Sequence, residues 1–222
     1  MLLLQFSTSH YCRKARLALG YKGINYRVEN LIPGAHIFRV KPLSGLTTVP
    51  VLLPQQEGQP TAVADSTRIF KYLEQYCPQP SLTLPNLQEQ TQAWLLEDWL
   101  DESIGTATRF VYYQFRAGVG KNLDPSLSSQ FLIQLVRRQY GITPAAVELA
   151  ECRLVTAMEI LALWQQQPYL VGDKISVADV TAAALLSPLA RIPQYRQSYP
   201  WLFERIREIH QLCGEKLPPG LE

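Results

Sequence analysis

Residues 2–16 read Leu2-Leu3-Leu4-Gln5-Phe6-Ser7-Thr8-Ser9-His10-Tyr11-Cys12-Arg13-Lys14-Ala15-Arg16, and how this stretch folds decides what the rest of the chain can be. Leu2 to Phe6 has the short apolar character of a buried strand, and Tyr11 to Tyr21 reads as a helix. Ser9 stands at the junction, where a hydroxyl either caps free backbone N–H groups or reaches an anion held at the positive end of the helix. With a helix start near Tyr11, Cys12 shares a face with Ala15 and Leu19, which turns its thiol inward. His10 reads as an exposed loop histidine able to titrate near neutrality, and Tyr11 as a spare phenolic donor.

Working outward, Ile24-Asn25-Tyr26-Arg27-Val28 alternates like a half-buried strand, which completes a strand–helix–strand unit with a parallel pair. After an irregular stretch around Pro33-Gly34 come Val49-Pro50-Val51-Leu52-Leu53, then Thr61-Ala62-Val63-Ala64, then a helix from Ser66 to about Tyr76. Residues 1–77 are therefore expected to form an α/β domain. Pro78, Pro80 and Pro85 break both helix and sheet, so residues 78–86 read as a linker. Over residues 87–222 the period becomes helical: Leu96, Leu100, Ile104, Ala107 and Val111 trace one stripe, and further helices are expected near 126–139, 144–166, 176–186 and 200–213. The fold class is α/β followed by an all-helical bundle.

Composition narrows the function. A formal net charge of +2, with 18% charged and 47% apolar residues, gives no field that argues for nucleic acid or an anionic membrane. No stretch reaches the roughly 18 apolar residues of a membrane helix, and the opening Met1-Leu2-Leu3-Leu4-Gln5-Phe6 is too short for a signal peptide. The expectation is a cytoplasmic protein with small-molecule or protein partners. Cys12, Cys77, Cys152 and Cys213 show no paired spacing, so neither a metal site nor a disulfide framework is suggested.

Three patterns together, Ser9-x-x-Cys12-Arg13-Lys14-x-Arg16 after a strand, Thr48-Val49-Pro50-Val51-Leu52, and Asp65-Ser66 opening a helix, ahead of a helical domain, resemble the soluble glutathione transferases over nearly the whole chain. The resemblance implies a thioredoxin-like N-terminal domain and glutathione as co-substrate, with no tightly bound cofactor. Ser9 falls on the family's catalytic position. Beside the related Cys-Pro-Tyr-Cys of glutaredoxins this chain has Ser9-His10-Tyr11-Cys12, so the attacking thiol is replaced by a hydroxyl. A hydroxyl forms no mixed disulfide, but it can donate a hydrogen bond to the thiolate of bound glutathione; such a charge-assisted bond is worth about 1.5–3 kcal/mol and a helix N-terminus about 0.3–1 kcal/mol. At about 1.36 kcal/mol per unit, that lowers the glutathione thiol pKa by about one to three.

The resemblance further implies a cis Val49–Pro50 bond exposing the Val49 backbone to the cysteinyl part of glutathione. It also implies a γ-glutamyl carboxylate at Ser66 and the adjoining helix start, with Asp65 facing the ammonium. The segment Lys41-Pro42-Leu43-Ser44-Gly45-Leu46-Thr47-Thr48 departs from the family's usual loop, and His36, Arg39 and Lys41 all remain candidates for the glycyl carboxylate. Arg109, Tyr112, Tyr113 and Arg116 fall where the family walls its second-substrate pocket, although aromatic residues there also fill cores. Ile175-Ser176-Val177-Ala178-Asp179-Val180 resembles a buried capping box with a structural role. A homodimer with Arg68 near the interface is implied as well. The expected function is conjugation of glutathione to small hydrophobic electrophiles, as in detoxification. The alternatives are a non-catalytic glutathione-binding or stress-response protein, or a thiol reductase or peroxidase in which Cys12 acts; Tyr11 is the other alternative donor.

Overall fold

Side chains alternate across the first strand, and that alternation sets the layers. In the computed structural model, which describes residues 1–222, β1 (Leu2–Gln5) turns Leu3 to one face of a sheet and Leu4 to the other. The four strands lie in the order β2-β1-β3-β4, with β2 spanning Arg27–Asn30, β3 Val51–Leu53 and β4 Val63–Ala64. The pair β1–β2 is parallel, with Leu3 opposite Val28, while β3 runs antiparallel to both β1 and β4. Two helices, α1 (His10–Tyr21) and α3 (Ser66–Tyr76), cover the Leu3 face; α2 (His36–Ser44) places Val40 on the Leu4 face.

Two elements differ from the sequence reading. The second strand starts at Arg27, because Gly23 and Ile24 still bond back to α1 at Gly20 and Leu19 and pairing with β1 begins only where Arg27 N–H meets the Met1 carbonyl. Helix α2 was expected as irregular chain. Only Val40 of it is buried, so it carries no apolar stripe, and Pro42 lies inside it; Gly45 closes it at φ 74°. Both features hide a helix from periodicity.

Between α3 and α4 (Leu87–Asp98) the chain has no helix or strand, yet Leu82 and Leu84 are buried and the Val177 N–H bonds to the Leu82 carbonyl at 3.1 Å. Helix α4 runs without a break through a π-helical segment, Trp99–Ile104, into α5 (Gly105–Ala117). Then follow α6 (Leu127–Gln139), α7 (Pro144–Leu161), α8 (Val177–Leu185), α9 (Pro193–Ser198) and α10 (Pro200–Leu212). The stripe Leu100, Ile104, Ala107 and Val111 faces inward as its spacing demands. One continuous cluster of 43 buried apolar residues joins Leu3 and Leu17 to Ile104, Leu185 and Ile206, so the sheet and the bundle share a core.

At the start of α8, the Ser176 N–H and hydroxyl both donate to Asp179 Oδ2 at 2.8 Å, and the Leu170 N–H donates to Oδ1 at 2.7 Å. Ile175 and Val180 are buried on either side. Asp179 is thus committed to internal bonds, as its structural reading requires. Burial pushes its carboxyl up to about 6 against the pull of those donors.

Candidate functional site

Sheet register brings three separated segments to one end. The last residues of β1 lie beside the first of β3 (Leu4 opposite Val51), and these lie beside the last of β4 (Val51 opposite Ala64). The Ser9 turn, Val49–Pro50 and Asp65 therefore converge where strands are about 4.8 Å apart. Both α1 and α3 begin there, so two positive helix ends point into the same space. The Val49–Pro50 bond is cis, the Asp65 N–H bonds to the Pro50 carbonyl at 3.3 Å, and no hydrogen bond within the chain occupies the Val49 N–H or carbonyl.

Ser9 is the N-cap of α1: it is extended at φ −73°, ψ 126°, half-buried, and its hydroxyl oxygen accepts the Cys12 N–H at 3.3 Å. Accepting leaves the hydroxyl hydrogen free to donate. Cys12 is fully buried and burial pushes its thiol up to about 11, against a weaker pull from the Ser9 hydroxyl. A neutral, enclosed thiol is a poor nucleophile. The Tyr11 hydroxyl donates to the Asp101 carbonyl at 2.9 Å, and burial raises its pKa; its one hydrogen is committed.

His10 is not an exposed loop residue. It opens α1 at 7% exposure, with Nε2 donating to the Gly105 carbonyl at 3.1 Å. Burial, with Arg109 adding to it, lowers its pKa to about 3, and burial lowers His210 to about 4. Both rings are neutral when folded but take up a proton near 6.5 when unfolded. The unfolded state therefore binds more protons on acidification, and stability is lost as pH falls from about 6.5 towards the folded values. Between pH 6.5 and 5, unfolding free energies from denaturant titrations should lose up to about 1.4 kcal/mol per pH unit for each histidine, partly offset below about pH 6 by proton uptake at folded Asp179, and His10→Gln should remove one histidine's share of the loss. An unchanged slope in the variant would show that His10 titrates normally in the folded chain.

Below this end of the sheet lies an ionic cluster that the sequence reading missed. Lys14, with no exposure, forms ion pairs with Glu97 Oε1 and Asp101 Oδ1 and donates to Thr67 Oγ1 at 3.0 Å. Thr67 Oγ1 donates to Glu97 at 2.7 Å, and Ser66 Oγ to Asp101 Oδ1 at 3.4 Å. The Ser66 hydroxyl thus has an internal partner, while its N–H belongs to the open end of α3. Asp65 caps α3 by accepting the Arg68 N–H at 3.0 Å, from a backbone at φ 80°, ψ 136°. Arg68 is exposed on the same helix. Glu97 and Asp101 fall on the stripe of Ala93 and Ile104; two acids four apart on an apolar face were the available signal.

Of the pocket candidates, Arg109 lies beside the site, its guanidinium 5.0 Å from the Tyr11 ring centre and 4.3 Å from that of Tyr140. Tyr113 meets Tyr112 edge-on at 5.6 Å. Tyr112 and Arg116 lie further along α5, bonded to each other at 3.1 Å. The three cationic candidates for the glycyl carboxylate separate: Arg39 is paired to Glu29 at 3.2 Å, both ring nitrogens of His36 are engaged, by the Gly34 N–H and the Thr47 carbonyl, and Lys41 is exposed without an ion pair.

A four-stranded sheet with two N-terminal helix ends converging beside a cis-proline turn, followed by a helical bundle, is a thioredoxin-like domain joined to a helical region. Residues 3–81 match the family described as glutathione S-transferase, N-terminal domain, and the whole chain has the glutathione S-transferase fold. A Xanthobacter autotrophicus glutathione S-transferase is 17% identical with a TM-score of 0.74 (99% of this chain, 97% of that one). The β-etherase of a Sphingobium species is 20% identical with a TM-score of 0.73 (99% and 96%). A Methylobacterium radiotolerans glutathione S-transferase in complex with glutathione sulfonate is 22% identical with a TM-score of 0.67 (98% and 94%). No curated protein matches the chain significantly. No helix is long and apolar enough to cross a membrane.

Proposed function

We propose that this protein is a glutathione transferase in which the Ser9 hydroxyl holds the glutathione sulfur as a thiolate for attack on a small electrophile. The observation that carries the reading is the pairing of a half-buried Ser9 hydroxyl, its hydrogen free, with the N-terminus of α1 behind it. The unpaired Val49 backbone beside cis Pro50 suits the cysteinyl unit, and the α3 N-terminus at Ser66 suits the γ-glutamyl carboxylate, with Asp65 facing the ammonium. Lys41 is favoured for the glycyl carboxylate. Thiol reduction through Cys12 is disfavoured by its burial and raised pKa. The exposed Leu87 and Leu95, two turns apart on α4, and exposed Arg68 on α3 support the homodimer reading. The test is the ultraviolet thiolate band of bound glutathione: its titration midpoint should lie one to three below that of free glutathione, with conjugation of aryl halides or isothiocyanates. Binding with an unshifted band and no turnover would favour a non-catalytic module.

Asp65 separates binding from stability. A non-glycine residue at φ 80° carries about 1–3 kcal/mol of strain, and glycine at an N-cap sacrifices only a few tenths of a kcal/mol. Asp65→Gly should therefore melt no lower than wild type, yet bind glutathione about tenfold more weakly because the carboxylate facing the ammonium is gone. Lower melting with unchanged affinity would assign Asp65 to the fold alone.

A further inference from the structure

Arginine side chains gather around one phenol, and none of them is paired with a carboxylate. Arg116 is 7% exposed; its Nη1 donates to the Tyr112 hydroxyl at 3.1 Å and its Nη2 to Ser129 Oγ at 3.3 Å. Arg191 donates to the same Tyr112 oxygen at 3.4 Å. Arg13, 8% exposed, donates to Ser187 Oγ at 2.7 Å. Ser187 and Arg191 are the two ends of one short 3-10 turn, which links the Arg13 contact to that of Arg191. The Nε atoms of Arg13 and Arg116 are buried without a partner.

The nearby acids, Glu215 acting on Arg13 and Asp124 on Arg116 through their fields alone, make their direct bonds elsewhere. Asp124 accepts from the Ser126 N–H and hydroxyl at 3.3 and 2.8 Å, and Glu215 pairs with Arg16 at 2.7 Å. A buried guanidinium without a counter-ion is costly. Burial, with Arg16 adding to it, holds Arg13 down to about 10 against a weaker pull from Glu215. The Tyr112 oxygen already accepts twice, so its hydrogen is a further donor. Every group here donates, and forked guanidinium donors match the two oxygens of a carboxylate. The cluster also continues the site: Gly105, Arg109, Tyr112 and Arg116 are spaced four, three and four along α5 and share one face, with Gly105 beside the Tyr11 hydroxyl.

We infer that the second substrate is an electrophile bearing a carboxylate, which seats on Arg116, Arg191 and the Tyr112 hydroxyl while its reactive carbon faces Ser9. This rests on the transferase reading and changes its substrate class from apolar to anionic. With 4-chloro-3-nitrobenzoate, the glutathione thiolate adds to the chlorine-bearing carbon, a C–S bond forms, the C–Cl bond breaks and chloride leaves with the electron pair.

The test compares kcat/KM for 4-chloro-3-nitrobenzoate and its methyl ester, each divided by its uncatalysed rate with glutathione. Wild type should prefer the acid by about tenfold or more, and Arg116→Met or the more exposed Arg191→Gln should bring that preference close to one. A wild-type ratio at or below one, or a ratio unmoved in both variants, overturns the inference. If neither compound is turned over, the transferase reading fails separately, and calorimetry with unreactive 4-nitrobenzoate decides the anion site: binding that both variants weaken supports it, and absent or unaltered binding overturns it.

Discussion

Lys14→Met is expected to destabilise the folded protein by about 3–5 kcal/mol, the cost of removing one partner from a buried ion pair. For a chain of this size that lowers the melting temperature by about 6–20 °C. The reason lies in what remains: Glu97, 1% exposed, and Asp101, 6% exposed, would face each other with only Thr67 and Ser66 hydroxyls as donors. Lys14→Met/Glu97→Gln should recover part of the deficit, because one of the two uncompensated charges is gone. Thermal melts of both variants at pH 7 check the two statements. A deficit below about 1 kcal/mol, or no recovery in the double variant, would mean that the cluster is open to water.

The same variant has a functional arm. Lys14 ties α1 to the start of α3 through Thr67 and to the π-helical turn through Asp101, whose carbonyl accepts from Tyr11. Loosening it frees Ser66 and Tyr11 together, so glutathione affinity should fall even below the melting transition. π-Helical turns concentrate at functional sites, and along this one Asp101 faces Lys14 while Gly105, just after it, faces His10.

How much of this was legible in the sequence follows from which residues obey a simple period. Strands β1, β3 and β4 and helix α3 stood out because each has an apolar face bounded by turn residues, and Ser9, Asp65 and Ser66 stood out because caps announce helix starts. Helix α2 did not, since it buries only Val40 and contains a proline. Helix α1 was read as having one inward face, whereas it is sandwiched between sheet and bundle and buries Arg13, Lys14 and Arg16 as well as Cys12. Periodicity carries no information about a helix covered on all sides. For the same reason His10, polar and next to a loop, was expected in water, and the partners of Lys14, 83 and 87 residues away, had no local signal that linked them to it.

Ser9→Ala tests the chemistry most directly. Losing a charge-assisted hydrogen bond of about 1.5–3 kcal/mol should reduce kcat/KM about 10- to 150-fold at pH 7 and move the thiolate titration of bound glutathione up by about one to two. The gap should close towards pH 9–10, where glutathione ionises without help, and this pH dependence separates loss of the hydroxyl from general damage. Losing the N-cap should itself lower stability by about 0.5–2 kcal/mol, so kinetics must be read well below the melting transition. Tyr11→Phe and Cys12→Ala should keep the shifted thiolate band, since the Tyr11 hydrogen is held by the Asp101 carbonyl and the Cys12 thiol is enclosed. Ser9→Cys makes the complementary case. Its thiolate, at the end of α1, should attack oxidised glutathione, forming a protein–glutathione disulfide and releasing one glutathione, an adduct visible by mass and reversed by dithiothreitol. If Ser9→Ala kept full turnover at pH 7 while Tyr11→Phe lost it, the thiolate would be held by the phenol, and the hydroxyl at position 9 would be only a helix cap.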